Sequence, residues 1–255
     1  MQAPWGAVLV CRPLQDYAEH FFTTAAVTLR ESQDEWNGLA AFAGVPPSRL
    51  RLLNQVHGRT IATAPVGDDS SWVRPEADGI VTADRSVALV VRVADCAPVL
   101  LADRRTGAVA AVHAGWRSTM QGIVATAVER LSAASGSQPA DFIAAIGPSL
   151  GTCCGEMGEE VVDAFRSAGH DESALGRWFT RAPGKRPHFD LWRANREQLE
   201  KAGLPADAIH VAALCTRTYP DFFHSYRAAG AGAGRMAAVI RMHSQAGIET
   251  ASCWR

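Results

Sequence analysis

Residues 87–119 read VALVVRVADCAPVLLADRRTGAVAAVHAGWRST and carry the strongest strand pattern in the chain. Apolar, β-branched residues dominate positions 87–93, which is typical of a strand buried on both faces. Residues 108–112 form a second such run. The segment 103–107 between them is polar and ends in glycine, as hairpin loops often do. The stretch therefore predicts buried strands on either side of a short turn.

The register of this hairpin predicts a pair of reactive side chains. If the turn is centred on Arg104 and Arg105, Cys96 lies opposite His113, with Cβ atoms roughly 5 Å apart. A thiol facing an imidazole can bind a metal or form a nucleophile–base pair. A buried cysteine beside a hydrogen-bonded histidine explains the pattern equally well. A register shift of one residue would turn Cys96 to the other face.

Composition and charge restrict the class of protein. The chain has 255 residues, of which 20% are charged and 47% apolar, with a formal net charge of −1. These values are ordinary for a globular protein and give no strong field toward nucleic acid or membrane. The N-terminal residues lack the basic start and long apolar run of a secretory signal. We expect a cytoplasmic protein with neither nucleic-acid nor membrane partners.

The cysteines do not resemble a disulfide framework. There are six, they have no regular spacing, and Cys153 and Cys154 are adjacent in a glycine-flanked loop. A chain of this length with such a pattern is more typical of a reducing compartment. Cys153 and Cys154 invite a redox role, but we expect them to be inert.

The rest of the chain predicts one domain of strands and helices over residues 1–255. No internal repeat or linker poor in apolar residues divides it. Apolar periodicity and capping residues predict helices at 30–44, 119–134, 156–168 and 190–202. Apolar runs predict further strands at 142–146, 210–214 and 236–241, with an irregular loop at 170–187.

A third candidate ligand is His57, which follows a short apolar strand and precedes Gly58. One cysteine and two histidines at strand ends can supply three ligands to zinc, leaving a fourth position for water or substrate. Spacing alone does not show that His57, Cys96 and His113 converge, and His57 fits a surface loop equally well.

Two other chemistries use the same residues. A cysteine hydrolase can be built from Cys96, His113 and either Asp78 or Asp95. Copper oxidation is less well supported, because none of the eight histidines forms a His-x-His pair. The chain has no phosphate loop, dinucleotide fingerprint or aromatic–basic nucleic-acid motif.

Several linked motifs resemble the YfiH/laccase-domain family, also called multicopper polyphenol oxidases or peptidoglycan editing factors. The resemblance covers roughly residues 50–241 and rests on NQVHG at 54–58, ADGIVT at 77–82, VADCAPVLLAD at 93–103, AAVHAGWRST at 110–119, IGPSLGTCCGEMGEEV at 146–161 and the late FFHSYR and GR. It implies a single-domain α+β fold, in which a layered mixed β-sheet is flanked by helices. It also implies zinc bound by His57, Cys96 and His113.

The resemblance further implies an enzyme, a purine nucleoside phosphorylase that also deaminates adenosine and cleaves S-methyl-5′-thioadenosine. Its substrates would be purine nucleosides and phosphate, handled by a monomer or small homo-oligomer. Cys96, Asp95 and His113 are then the expected catalytic groups. Phosphate and sugar contacts are expected from cationic and amide side chains, namely Arg117, Arg227, Arg235, Asn54 and Gln55.

The chain departs from the family pattern at two places. Ser118 stands where the family usually has glycine after HAGWR, a small change that should be tolerated. Residues 21–32 read FFTTAAVTLRES where the family often has Thr-Arg-x-Gly-Gly-Val-Ser, so any substrate contact from that segment is in question. The alternatives to a phosphorylase are a cysteine hydrolase or amidase acting on cell-wall peptides, a copper-dependent polyphenol oxidase, and a protein that binds zinc and nucleotide without turnover.

Overall fold

Two six-stranded mixed sheets form the centre of the molecule in the computed structural model, which describes residues 1–30, 33–67 and 72–243. The strands are β1 (Gln2–Ala3), β2 (Gly6–Leu9), β3 (Ala18–Thr23), β4 (Leu50–Arg51), β5 (Ile61–Thr63), β6 (Gly79–Thr82), β7 (Ala88–Val93), β8 (Ala97–Asp103), β9 (Val109–Ala114), β10 (Phe142–Ile146), β11 (Phe179–Thr180), β12 (His188–Phe189), β13 (Ile209–Val211) and β14 (Met236–Met242). The first sheet has the order β1-β2-β3-β14-β7-β4 and the second β13-β10-β8-β9-β6-β5. Strands β11 and β12 pair separately.

Helices cover the outer faces of both sheets. They are α1 (Arg12–Gln15), α2 (Gln33–Phe42), α3 (Trp116–Met120), α4 (Ile123–Ser135), α5 (Glu159–Ser167), α6 (Glu172–Trp178), α7 (Leu191–Lys201) and α8 (Tyr226–Ala229). Helix α2 packs on the first sheet, and α4 to α7 pack on the second. Among the described helices, none has the length and apolar character needed to cross a bilayer.

The two sheets face each other across an apolar core. Leu89 and Ile240 from the first sheet pack against Leu100 and Ala111 from the second. All seven residues of β8 are buried, because sheet covers one of its faces and helices cover the other. The expected α+β class with layered mixed strands and flanking helices is confirmed, with two sheets in place of one.

The predicted register of the central hairpin was wrong by two residues. His113 pairs with Pro98, and Cys96 lies one residue before β8. The turn lies later than predicted because the Asp103 carboxylate accepts hydrogen bonds from the Arg105 backbone and the Thr106 hydroxyl. Since side chains alternate with period two, a shift of two residues keeps Cys96 on the predicted face.

Strand β7 does not belong to this hairpin. It pairs with β14 and β4 in the first sheet, whereas β8 and β9 pair in the second. Residues 94–96 therefore carry the chain from one sheet to the other. This crossing places Asp95 and Cys96 at the edge where the two sheets meet.

The short helices α1 and α8 were not predicted, and two longer segments also differ from prediction. The expected helix 119–134 is two helices, α3 and α4, separated by Gly122 in the left-handed region with φ of 76°. The expected irregular segment 170–187 contains α6, whose first turn is capped by the Asp171 carboxylate. The predicted Asp190 cap of α7 is confirmed, since its carboxylate accepts the backbone N–H of Arg193 at 2.9 Å.

Candidate active site

Three potential metal ligands meet at the ends of the two central strands of the second sheet, β8 and β9. The ligand atoms of His57, Cys96 and His113 all lie within 4.8 Å of one another. Sγ of Cys96 lies 3.8 Å from Nε2 of His57, and the two imidazole rings meet edge to face with centroids 4.8 Å apart. The side chains come from the turn after β4, the residue before β8 and the end of β9. The three sequence candidates are therefore neighbours in space.

A buried carboxylate holds this cluster from behind. Oδ1 of Asp78 lies 2.8 Å from Nδ1 of His113, which leaves Nε2 of that ring for a ligand. The same carboxylate accepts the backbone N–H groups of Val56, His57 and Gly58 at 2.6–3.2 Å. Asp78 is fully buried, so it fixes both the ring of His113 and the turn that carries His57.

Charge favours the ligand form of the thiol. Burial raises the pKa of Cys96, but the neighbouring His113 and His57 outweigh it and lower that pKa below the ordinary value. Burial lowers the pKa of His113, but the Cys96 thiolate and the Asp78 carboxylate outweigh it and raise that pKa. The Cys96 thiol is thus easily deprotonated, as a metal ligand or a nucleophile must be.

The backbone around the cluster is unusual. His57 and Asp95 have φ of 60° and 82°, in the left-handed region that few residues other than glycine adopt. A Cβ at Gly115 would lie 2.9 Å from Sγ of Cys96 and 3.2 Å from Cδ2 of His57. Glycine is therefore required at position 115 for the thiol and the imidazole to meet. Strain of this kind is often concentrated at functional sites.

The donor set fits a zinc ion. One thiolate and two imidazoles are ligands that zinc takes at catalytic sites, which keep one coordination position open. His113 is buried, Cys96 is half-buried and His57 is exposed, so the group opens to solvent on one side. Asp78 supplies the carboxylate partner that metal-bound histidines usually have.

A cleft of about 850 Å³ opens over the three candidate ligands. Five arginines of the described chain line it, namely Arg30, Arg92, Arg117, Arg227 and Arg235. The rings of Trp116 and Tyr226 also contribute to its walls. The cleft therefore combines cationic donors suited to an anion with aromatic surface suited to a flat ring.

The three arginines predicted from the sequence, Arg117, Arg227 and Arg235, all line the cleft, but their guanidinium groups have different contacts. The guanidinium of Arg117 lies 4.2 Å from the ring centroid of Trp116. Arg227 donates to the backbone carbonyl of Glu156 at 2.8 Å. Arg235 donates to the carbonyls of residues 233 and 234 at 2.8 and 3.0 Å. Arg117 is exposed, and among the described residues its guanidinium contacts an aromatic ring, whereas the other two donate hydrogen bonds to backbone carbonyls.

The remaining sequence candidates have local partners. The amide of Gln55, which lines the cleft, bonds the backbone N–H and carbonyl of Arg92, both at 2.8 Å. Asn54 is exposed and donates to the Arg74 carbonyl, and it is not among the residues lining the cleft. The Asp95 carboxylate also lines the cleft but accepts from the Thr216 hydroxyl and the backbone N–H of Arg227.

Sequence reasoning missed Arg92, which stands near the end of β7. Burial lowers its pKa, and the charges of Arg74 and Arg235 add to that effect. Its guanidinium has no hydrogen bond or ion pair within the described ranges. The sequence did contain a signal for this residue, namely an arginine within the apolar strand ALVVRV. Because arginine is seldom buried without a partner, its position indicates a functional role.

The fold and the site together define a class of protein. Its members are layered α+β proteins with a cationic cleft that has one thiol and two imidazoles at its base. This chain belongs to the multi-copper polyphenol oxidoreductase laccase family, whose model matches residues 30–243. The expected family resemblance is therefore confirmed.

Solved structures show the same fold. YlmD from Geobacillus stearothermophilus superposes with a TM-score of 0.84 at 28% identity, covering 96% of this chain and 98% of that one. The YfiH protein of Bacillus licheniformis has a TM-score of 0.84 at 26% identity, covering 93% and 97%.

Curated relatives carry the names of enzymes. A Deinococcus radiodurans protein is 39% identical over 82% of this chain and 76% of its own length, and is named a purine nucleoside phosphorylase. A Bacteroides thetaiotaomicron protein of the same name is 37% identical over 65% of this chain and only 61% of its own length. A protein named adenosine deaminase RL5, from an unknown prokaryotic organism, is 38% identical over 77% and 76%. These relatives bear out the expectation of an enzyme.

Proposed function

We propose that this protein is a zinc-dependent purine nucleoside phosphorylase. It splits adenosine, inosine or guanosine with phosphate into the base and ribose 1-phosphate. It also deaminates adenosine and cleaves S-methyl-5′-thioadenosine. The observation that carries the proposal is the cleft in which five arginines surround one thiol and two imidazoles. The names of the curated relatives support the same reaction.

Phosphate is bound by the arginines whose guanidinium N–H groups are not already hydrogen-bonded to the described protein. Arg227 and Arg235 already donate to backbone carbonyls, so they mainly shape the wall of the cleft. Arg117 has its guanidinium on an aromatic ring, and Arg92 has no anionic partner among the described residues. A guanidinium pairs with two phosphate oxygens at once, which holds the nucleophile for attack on the sugar.

The aromatic side chains suit the purine. Tyr226 is 54% exposed and its ring lines the cleft, with the Arg235 guanidinium 5.9 Å from its centroid. Offset stacking of a base on such a ring orients it and excludes water from one face. The FFHSYR motif at 222–227 has two other aromatic rings. Phe223 is buried and Phe222 is not among the lining residues, so Tyr226 is the base-stacking residue of this motif.

The cluster supplies the remaining chemistry. When bound, zinc supplies a Lewis acid at His57, Cys96 and His113. Asp78 keeps the proton of His113 on Nδ1, so that Nε2 stays available at the cluster. Asp95 acts as a positioning residue, since its carboxylate already joins the Thr216 hydroxyl to the start of α8. We further propose that the enzyme acts in the cytoplasm on small molecules, as a monomer or small homo-oligomer.

Product analysis tests the reaction. Purified protein is incubated with adenosine in the presence and absence of phosphate, and the products are separated. Adenine and ribose 1-phosphate are expected only with phosphate, and inosine in both. Nucleoside left unchanged under both conditions would refute the proposed function.

A cysteine hydrolase is the second candidate, because Cys96, His113 and Asp78 have the geometry of a nucleophile, a base and an orienting carboxylate. Such an enzyme would act on amide substrates such as cell-wall peptides after removal of all metal, and thiol alkylation would stop it. A copper-dependent polyphenol oxidase would instead hold copper and consume dioxygen with a phenol. Loss of activity on chelation and recovery with zinc excludes both.

A further inference from the structure

A second group of sulfur atoms lies outside the His57–Cys96–His113 cluster. The thiols of Cys153, Cys154 and Cys215 all lie within 4.8 Å of one another. Cys153 and Cys154 belong to a short 3₁₀ turn, and Cys215 lies four residues beyond β13. The adjacent pair was expected to be inert, and no pattern in the sequence connected Cys215 with it.

The distances in this group fit a bound metal ion. Sγ of Cys153 lies 3.7 Å from Sγ of Cys154. Two sulfur ligands on a tetrahedral zinc with bonds of about 2.3 Å are separated by about 3.8 Å. The Thr218 hydroxyl lies 3.4 Å from Sγ of Cys153 and 3.7 Å from Sγ of Cys154. Three sulfurs and one oxygen thus lie together at separations that ligands of one cation can have.

Hydrogen-bond donors stabilise a thiolate at this position. Sγ of Cys215 accepts hydrogen bonds from the Thr218 side chain and from the backbone N–H groups of Gly151 and Thr218. Backbone N–H groups directed at a ligand sulfur are a common outer shell of metal sites. Cys153 is exposed, so a cation can reach the group from solvent.

We propose that Cys153, Cys154 and Cys215 form a second metal site for a thiophilic cation such as Zn²⁺ or Cu⁺, with the Thr218 hydroxyl beside it. Each thiol that binds releases its proton, and no change of oxidation state takes place. The inference stands independently of the proposed phosphorylase activity, because it rests on other residues.

A cation here would cross-link two loops that each hydrogen-bond a residue lining the cleft. The loop holding Cys153 and Cys154 also supplies a carbonyl to the guanidinium of Arg227. The loop holding Cys215 also supplies the Thr216 hydroxyl to Asp95. The bound ion would therefore stabilise the segments that hold Asp95 and Arg227.

Titration of metal-free full-length protein with Cd²⁺ tests the site, using equilibrium dialysis and thiolate-to-cadmium charge-transfer absorbance. We expect two Cd²⁺ per chain in the wild type and one in Cys96→Ser. Adding Cys153→Ser to that variant should remove the remaining ion or weaken it at least tenfold. Serine at exposed position 153 changes the fold little. Cys11→Ser, which alters a half-buried thiol outside both groups, is the matched control and should still bind two.

Two outcomes would overturn the inference. One is Cys96→Ser that binds no Cd²⁺, and the other is the double variant binding as tightly as Cys96→Ser. Failure of the first metal site gives a different pattern, in which the wild type and Cys96→Ser both bind one ion that Cys153→Ser removes. That pattern supports the second site while removing zinc from the proposed phosphorylase.

Discussion

The carboxylate of Asp78 lies 2.8 Å from Nδ1 of His113 while it also accepts the backbone N–H of His57 at 2.9 Å. One buried side chain therefore positions two of the three candidate metal ligands. This arrangement explains how a turn after β4 and the end of β9 are held in one geometry. It also makes Asp78 the most sensitive positioning residue of the site.

Asp78→Asn should weaken zinc binding about 10-fold to 100-fold, because a neutral amide replaces the charged partner of His113. Competition with a chromophoric chelator measures the affinity. Asp84→Asn is the matched control, since Asp84 is also buried and accepts the backbone N–H groups of Gly67 and Ser86. Wild-type zinc affinity in Asp78→Asn would contradict the role assigned to the carboxylate.

Cys96→Ala should remove most of the zinc from the cleft. The measurement is made in protein carrying Cys153→Ser, so that the second cysteine group does not contribute metal. That background should carry about one zinc per chain, and adding Cys96→Ala should release it, because a thiolate is the strongest of the three donors. Full zinc content after the second substitution would remove Cys96 from the ligand set.

Arg117→Ala should slow phosphorolysis about 10-fold to 100-fold and raise the Michaelis constant for phosphate. A charge-assisted hydrogen bond contributes about 1.5–3 kcal/mol, and deamination consumes only water, so deamination should change much less. Both activities are measured in one preparation, with Arg130→Ala on the exposed side of α4 as control. A parallel loss of both would mean that Arg117 only braces α3.

Arg92→Met should weaken phosphate binding without lowering the stability of the fold. Methionine keeps the length of the side chain but removes a half-buried cation that lacks a partner among the described residues. The free energy of unfolding without phosphate should be unchanged or higher, while the Michaelis constant for phosphate rises at least tenfold. Urea unfolding and initial rates measure the two quantities. A less stable variant with normal phosphate kinetics would assign Arg92 a structural role.

Glu197 should make the contact of α6 with α7 sensitive to acid. Burial raises the pKa of its carboxyl, but hydrogen bonds from Arg177, Arg193 and Trp178 outweigh it and lower that pKa to about 2. A lowered pKa in the folded state stabilises the protein above the unfolded pKa of about 4.5, and this contribution is lost as the pH falls toward 2.

Glu197→Gln should therefore lower the free energy of unfolding at pH 7 by about 1–3 kcal/mol, and by less at pH 3. Urea unfolding at both values measures the difference. Glu200→Gln is the control, because Glu200 forms a partly exposed ion pair with Arg196 one turn away on the same helix, and its loss should cost less than about 0.5 kcal/mol. A difference from wild type that is equal at both pH values would show that the charge of Glu197 contributes nothing.

Local patterns in the sequence were enough to predict most of the strands and helices and the three candidate metal ligands. β-Branched runs predict buried strands because the side chains must fit a pleated surface covered on both faces, and β7, β9 and β10 follow that rule. Asp190 predicts the start of α7 because a carboxylate there satisfies a free backbone N–H group. The hairpin register failed by two residues because the contacts of Asp103 lengthen the turn, which apolar periodicity does not record.

The sequence by itself determined the strands, most helices, the family resemblance and the choice of His57, Cys96 and His113. Only the tertiary structure decided that Asp78 supports two of these ligands, that Arg92 opens into their cleft, and that Cys215 joins Cys153 and Cys154. The physical reason is the range of the interactions. Burial and capping act over a few residues, whereas these contacts join residues 21 to 62 positions apart that meet only when two sheets pack together.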